Sequence, residues 1–133
     1  MLLEDTSFFY FYNMKKKTIV LGASTKPERY SNMAVNLLHQ EKHPVIAFGI
    51  KPGTIGKTPI ETEFPQTADA DTVTLYLGPK NQEAYLEQII QLKPSRVIFN
   101  PGTENPVFYE KLRAQNIEVL EACTLVLLRT GQY

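Results

Sequence analysis

The chain has few of the residues that build covalent or metal-bound scaffolds: one cysteine, Cys123, and two histidines, His39 and His43, in 133 residues. A single thiol excludes an internal disulfide framework and a cysteine-based zinc site. So few imidazoles leave little for a transition-metal centre beyond one histidine with carboxylates. Charge of one sign is also lacking. Fourteen Lys and Arg balance fourteen Asp and Glu, so the chain is not one that wraps nucleic acid by bulk electrostatics, although a local basic pocket is compatible with it. No apolar run approaches the ~20 residues that span a bilayer, which argues against a membrane-embedded role. The opening MLLEDTSFFYFYN lacks the basic start, long aliphatic stretch and small-residue end of a secretory signal. With a lone thiol and no export signal, the expected compartment is the cytoplasm.

What is present suits one domain with its own core. The hydrophobic fraction is 43%, and a chain of this size buries about two thirds of its unfolded surface on folding. Residues 1–13 read as an extension outside the fold, because Met14 opens MKKKTIVLGAS, a start that runs directly into a strand. The rival reading is that Phe8, Phe9, Tyr10, Phe11 and Tyr12 pack on a partner or second subunit, since an exposed aromatic run seldom stays bare. Residues 14–133 form the expected domain.

Within it, β-branched runs alternate with helical patterns. Strands are expected at 18–23, 44–48, 71–77, 96–99 and 117–120. Tyr30, Ala34, Leu37 and Leu38 mark one face of a helix with Ser31 as its N-cap, ended by Pro44. A second helix starts at Asn81 and turns Tyr85, Leu86, Ile89 and Ile90 inward. A third begins at Asn105-Pro106, a cap followed by proline at the first helical position. Residues 49–71 hold three prolines and no readable crossover helix, and 124–128 are apolar but of uncertain type. This order predicts an α/β, Rossmann-like three-layer domain with a five-stranded, mainly parallel sheet. Ligands of such sheets bind beyond the carboxyl ends of the strands, at the switch point beside strand one.

The loops at those ends carry the chemistry. The first is Gly22-Ala23-Ser24-Thr25-Lys26-Pro27-Glu28-Arg29-Tyr30-Ser31. Glycine admits a phosphate close to the backbone, while Ser24, Thr25 and Ser31 offer hydroxyls and Lys26 and Arg29 offer cations. It is neither GxGxxG nor a P-loop, and an ordinary strand-to-helix turn with incidental charges is the plain alternative. After the second strand, Lys51 stands where NAD-binding domains place an acid for the ribose hydroxyls, which disfavours NAD and suits a phosphorylated ribose or other anion. Lys51 and Lys57 read equally well as solvated lysines. After the fourth strand, Asn100, Gly102 and Thr103 offer polar groups and exposed amides, or simply end one element and cap the next. His39 and His43 fall at the opposite end of the sheet and read as surface residues. Cys123 lies on the cleft side without a histidine to activate it, so a half-buried structural thiol is favoured. Glu104 and Glu121 are solitary acids. Nothing assembles a reaction.

Gly22, Ala23, Ser24, Pro27, Arg29 and Ser31 match the GAS-x-x-P-x-R-x-S pattern, and GASTKPERYSNMAVNLL resembles the first loop of the stand-alone CoA-binding domain family. That family is similar to the CoA-binding domain of succinyl-CoA synthetase alpha subunits. The resemblance runs over residues 17–128 and implies that the loop holds the CoA phosphates. Lys51-Pro52 matches the family's segment after strand two. The chain departs from the family at Asn100-Pro101-Gly102, where a Trp/Gln turn is common. It departs again at Glu121-Ala122-Cys123, which keeps the cysteine of Asp-Arg-Cys and loses its arginine. Acyl-CoA ligases of this type need further domains that 133 residues do not hold. The reading is therefore a domain that binds coenzyme A or an acyl-CoA without catalysis of its own. Gly22, Ala23, Ser24, Thr25, Lys26, Arg29 and Ser31 face the phosphates, Lys51 the adenosine, and Asn100, Gly102 and Cys123 the pantetheine path. A small NADP-linked oxidoreductase and a regulatory or interaction module tuned by a nucleotide are the alternatives, and a homodimer is left open.

Overall fold

The computed structural model describes residues 15–66 and 69–133, so the aromatic extension lies outside the described residues. Strand β1 (Thr18–Leu21) is buried along its whole length. It pairs in parallel with β2 (Val45–Phe48) on one side and β5 (Thr72–Leu75) on the other. Next come β6 (Arg96–Phe99) and β7 (Glu118–Glu121), also parallel. Beyond β2 lie β4 (Thr58–Glu61) and the antiparallel edge strand β3 (Gly53–Ile55). The order is β3-β4-β2-β1-β5-β6-β7. Chain direction around β1 therefore reverses, opening a crevice at its carboxyl end.

Side-chain alternation along β1 divides the core. Ile19 and Leu21 join Val73, Leu75, Val97 and Phe99 against one helical layer. That layer comprises α2 (Pro79–Gln82), a 3-10 turn (Glu83–Tyr85), α3 (Leu86–Leu92) and α4 (Pro106–Ala114). Val20 faces the other way, onto α1 (Tyr30–Gln40) and α5 (Thr124–Arg129), with Val35, Leu38, Ala47 and Leu128. The result is the three-layer, Rossmann-like arrangement expected from the alternating β and α patterns.

The sheet has seven strands rather than five. The proline-rich stretch after β2 contains the β3–β4 hairpin, which carries the chain from β2 to the adjacent parallel strand β4 without a helix. Three residues and a proline inside β4, Pro59, left no periodic signal there. Three helix details also differ. Ser31 is buried inside α1 and caps nothing; Arg29 holds the N-cap position, with no side-chain capping bond. The buried residues are Ser31, Asn32, Ala34, Val35 and Leu38, and Tyr30 is left 67% exposed. Asn81 lies inside the first turn of α2, whose N-cap is Gly78. Asn105 does cap α4, accepting from the Phe108 amide at 3.3 Å, with Pro106 next.

The amino ends of the strands are closed by polar clamps. The Thr18 and Tyr133 hydroxyls share a hydrogen bond of 2.6 Å, and the Arg96 guanidinium lies 4.3 Å from the centre of the Tyr133 ring. His43 is buried here, its Nδ1 accepting from the Lys16 amide at 2.9 Å. It is thus not a surface residue, though it does lie away from the crevice. Burial is the main cause lowering its pKa, with Lys15 and Lys16 adding to the shift.

Candidate functional site

The first loop is built by close approach of backbones. The Gly22 and Ala23 amides both donate to the Phe48 carbonyl, at 2.9 and 2.8 Å, tying the loop to the end of β2. Gly22 has φ +104, and a Cβ there would lie 3.2–3.3 Å from Tyr76 and Leu77. A side chain would therefore be both strained and crowded. At Gly49 a Cβ would come within 2.4 Å of the Ala23 carbonyl oxygen. Glycine at these two places lets three strand ends meet. The edge hairpin joins them: a Cβ at Gly53 would sit 2.4 Å from the Thr25 methyl carbon. Asn32, buried in α1, donates to the Ser24 carbonyl at 2.9 Å, and the Ser24 hydroxyl accepts from the Lys26 amide at 3.2 Å.

This geometry changes which donors can meet an anion. The amides of Gly22 and Ala23 already have a partner, so these two residues shape the loop rather than contact phosphate through N–H groups. The Ser24 and Thr25 amides have no hydrogen-bond partner among the described residues. They lead into α1, whose first turn no side chain caps. Lys26 and Arg29 are exposed beside them. Lys51 is exposed between Gly49 and Gly53, the two points where its loop touches Ala23 and Thr25. None of the three cations has an ion-pair partner among the described residues. Open amides, an uncapped eleven-residue helix and unpaired cations at a switch point are the groups that an anion site requires. Glu28 is the one acid in the loop, and it too is exposed. Ile50, 81% exposed, adds an apolar surface next to Lys51.

The loop after β6 has a different role from the one its residue types suggest. Asn100 is only 2% exposed. Its Nδ2 donates to Thr74 Oγ1 and to the Leu75 carbonyl, at 2.7 and 2.8 Å, and its Oδ1 accepts from the Thr124 amide at 2.8 Å. With both amide hydrogens and the oxygen engaged, Asn100 locks three strand ends together rather than facing a ligand. Thr103 turns back onto it, the hydroxyl donating to the Asn100 carbonyl at 2.7 Å. Gln82, which no sequence motif singles out, is fully buried. It donates to the Leu77 and Thr103 carbonyls, at 2.8 and 2.7 Å, and accepts from Asn105 at 3.0 Å. Gly102 is exposed, its amide donating to Glu104 at 3.0 Å.

Cys123 is half-buried at the start of α5. Its electrostatic neighbour is Tyr76, whose pKa is pushed up chiefly by burial. The Thr74 and Thr124 hydroxyls lie close enough to moderate that shift, yet neither completes a hydrogen bond to the phenol oxygen, which is buried without a partner among the described residues. Neither histidine is near: His39 meets the Thr58 hydroxyl and His43 lies at the opposite end. Glu121 accepts from Tyr109 at 2.7 Å, and burial and this carboxylate push the Tyr109 pKa up to about 12. No group of three or more His, Cys, Asp or Glu suited to a metal occurs among the described residues.

Strand order and layering define a Rossmann-like α/β domain whose first loop lies at the switch point. Residues 16–129 match the CoA binding domain family, and the chain belongs to it. A crystal structure of a protein described only as uncharacterized is 43% identical, with TM-score 0.88, covering 91% of this chain and 100% of that one. A Thermus thermophilus protein is similar at 18% identity and TM-score 0.76, covering 97% of this chain and 98% of its own. A hypothetical protein from Pyrococcus horikoshii OT3 follows at 23% identity and TM-score 0.80, with 95% and 90% covered. The latter two speak to the fold alone. No curated protein matches significantly.

Proposed function

We propose that this chain binds coenzyme A or an acyl-CoA through the loop after β1, as a binding domain without chemistry of its own. The observation that carries this is the set of unpartnered Ser24 and Thr25 amides running into the uncapped start of α1, with Lys26, Arg29 and Lys51 unpaired around it. Ser24, Thr25 and the first turn of α1 hold the diphosphate. Lys26 and Arg29 neutralise it. Lys51 and Ile50 border the adenosine end, where a lysine in place of an acid suits the 3′-phosphate. Gly22, Ala23 and Asn100 act through the backbone they position, and Gly102 and Cys123 edge the pantetheine path.

The test is a thermal-shift panel of CoA, dephospho-CoA, acetyl-CoA, NAD, NADP and ATP at about 1 mM, since a ligand at 100 times its dissociation constant stabilises by about 2.7 kcal/mol. A larger shift with CoA than with dephospho-CoA or NADP is expected. A shift with NADP and none with any CoA species overturns the reading. Arg29→Ala should weaken CoA binding by about 1.5–3 kcal/mol, the loss of one charged hydrogen bond, while leaving stability unchanged because the side chain is exposed. Titration calorimetry reads the first quantity and urea denaturation the second.

A further inference from the structure

A concavity lies beside the loops that follow β5 and β6. It is a groove of about 320 Å³ between α2–α3 and α4, lined by Pro79, Leu86, Val107 and Phe108, with Lys80, Glu83 and Lys111 and the cap residue Asn105. Leu86 and Phe108 belong to the core and form an apolar floor. Val107 is 67% exposed at the rim, an aliphatic side chain that neighbouring residues leave largely uncovered. The volume is at the bottom of the ~300–1,000 Å³ range of small-molecule sites. It is too small for a whole dinucleotide-sized ligand and suited to one arm of it.

Beneath the surface, a chain of direct contacts ties the groove wall to the first loop. Gly22 packs on Leu77. The Leu77 carbonyl accepts from Gln82, and Gln82 accepts from Asn105 at the groove wall. Above this wall the way is open, since nothing lies within 4 Å of where a Cβ would stand on Gly78 or Gly102. The groove begins at Pro79, just after the end of β5, which neighbours β1, so it opens at the same end of the sheet as Ser24 and Thr25.

We infer that the groove takes the acyl chain of an acyl-CoA, with the aliphatic chain lying on Leu86 and Phe108 against Val107 and the lysine stems covering its sides. The inference rests on the CoA reading above. Titration calorimetry with the full chain, using CoA and then acetyl-, butanoyl- and hexanoyl-CoA, tests it. Affinity should rise about twofold per added methylene, half the logarithmic gain of complete burial in so open a groove. Val107→Asp, on an exposed position, should flatten that series while CoA itself binds within about twofold of the original chain, since no contact to the phosphates is touched. A flat series in the original chain, or an undiminished rise in Val107→Asp, overturns the acyl groove alone. Failure of CoA and all its thioesters to bind overturns the CoA reading and the groove with it.

Discussion

Replacing Asn100 by aspartate swaps one donor for an acceptor at nearly constant volume. In the native chain Nδ2 stands 2.8 Å from the Leu75 carbonyl and 2.7 Å from Thr74 Oγ1. Aspartate puts an oxygen there, and only its protonated form can donate to either. A neutral carboxyl keeps one of the two bonds, so Asn100→Asp should lose about 1–3 kcal/mol even at low pH, the penalty of one unsatisfied buried acceptor. Ionisation then sets a charge against the Leu75 carbonyl in a site 2% exposed, which the Thr124 amide at the other oxygen offsets only in part, bringing the total to about 3–5 kcal/mol at pH 7, the range for a buried charge without an ionic partner. The folded-state pKa is therefore raised above the unfolded value of about 3.9. The folded state binds more protons than the unfolded one, so stability is retained below pH 4 and falls as pH rises, by up to about 1.4 kcal/mol per unit. Urea denaturation of both chains between pH 4 and pH 7 measures this. The reasoning fails if the difference between them is constant with pH, or if it is below about 1 kcal/mol at pH 7. A variant folded at pH 4 and unfolded at pH 7 is the same outcome in cruder form, because total stability is only about 5–15 kcal/mol.

Gly49→Ala forces a methyl group to 2.4 Å from the Ala23 carbonyl, so the first loop must move; it should weaken CoA binding by tenfold or more, about 1.4 kcal/mol, in titration calorimetry. His43 has a lowered folded-state pKa, so its neutral form contributes stability that is present above the unfolded pKa of about 6.5 and declines as pH falls below it. His43→Gln should reduce the drop in melting temperature between pH 7.5 and pH 5, with equal drops as the refuting result. Tyr76→Phe removes a buried hydroxyl that has no hydrogen-bond partner among the described residues and should leave stability unchanged or raise it by about 1 kcal/mol; a loss of that size in denaturant would mean that the hydroxyl is bonded after all.

The parts of this fold that could be read from the sequence are those set by local pattern. Residues 19–21 are unbroken and apolar because the strand is covered on both faces, and Asn105-Pro106 states the start of α4 outright. The β3–β4 hairpin could not be read, because a three-residue strand has no period and Pro59 argues against a strand. The first helix was legible in its existence but not in its phase: a stripe built on Tyr30 and Leu37 ignores Ser31, whose burial only the packed structure reveals. At the site, the glycine, hydroxyl and cations of the first loop lie together in sequence and pointed to an anion directly. Asn100 and Gln82 did not declare their roles, since their partners Thr124 and Thr103 lie 24 and 21 residues away. A polar side chain at a strand end looks the same in sequence whether it faces a ligand or holds loops together.

The contact between Gly53 and the Thr25 methyl group gives the edge of the sheet a stake in the first loop. Strand β3 has a neighbour on one side only, so its amides exchange with solvent as freely as the hairpin's own fluctuations allow. Whatever stills Thr25 must also still Gly53, because the methyl group occupies the space that any other residue would fill with its own Cβ. Filling the crevice would then slow hydrogen exchange along β3, whose first residue touches the loop. Occupancy of the first loop would thus be read out at the outer edge of the sheet.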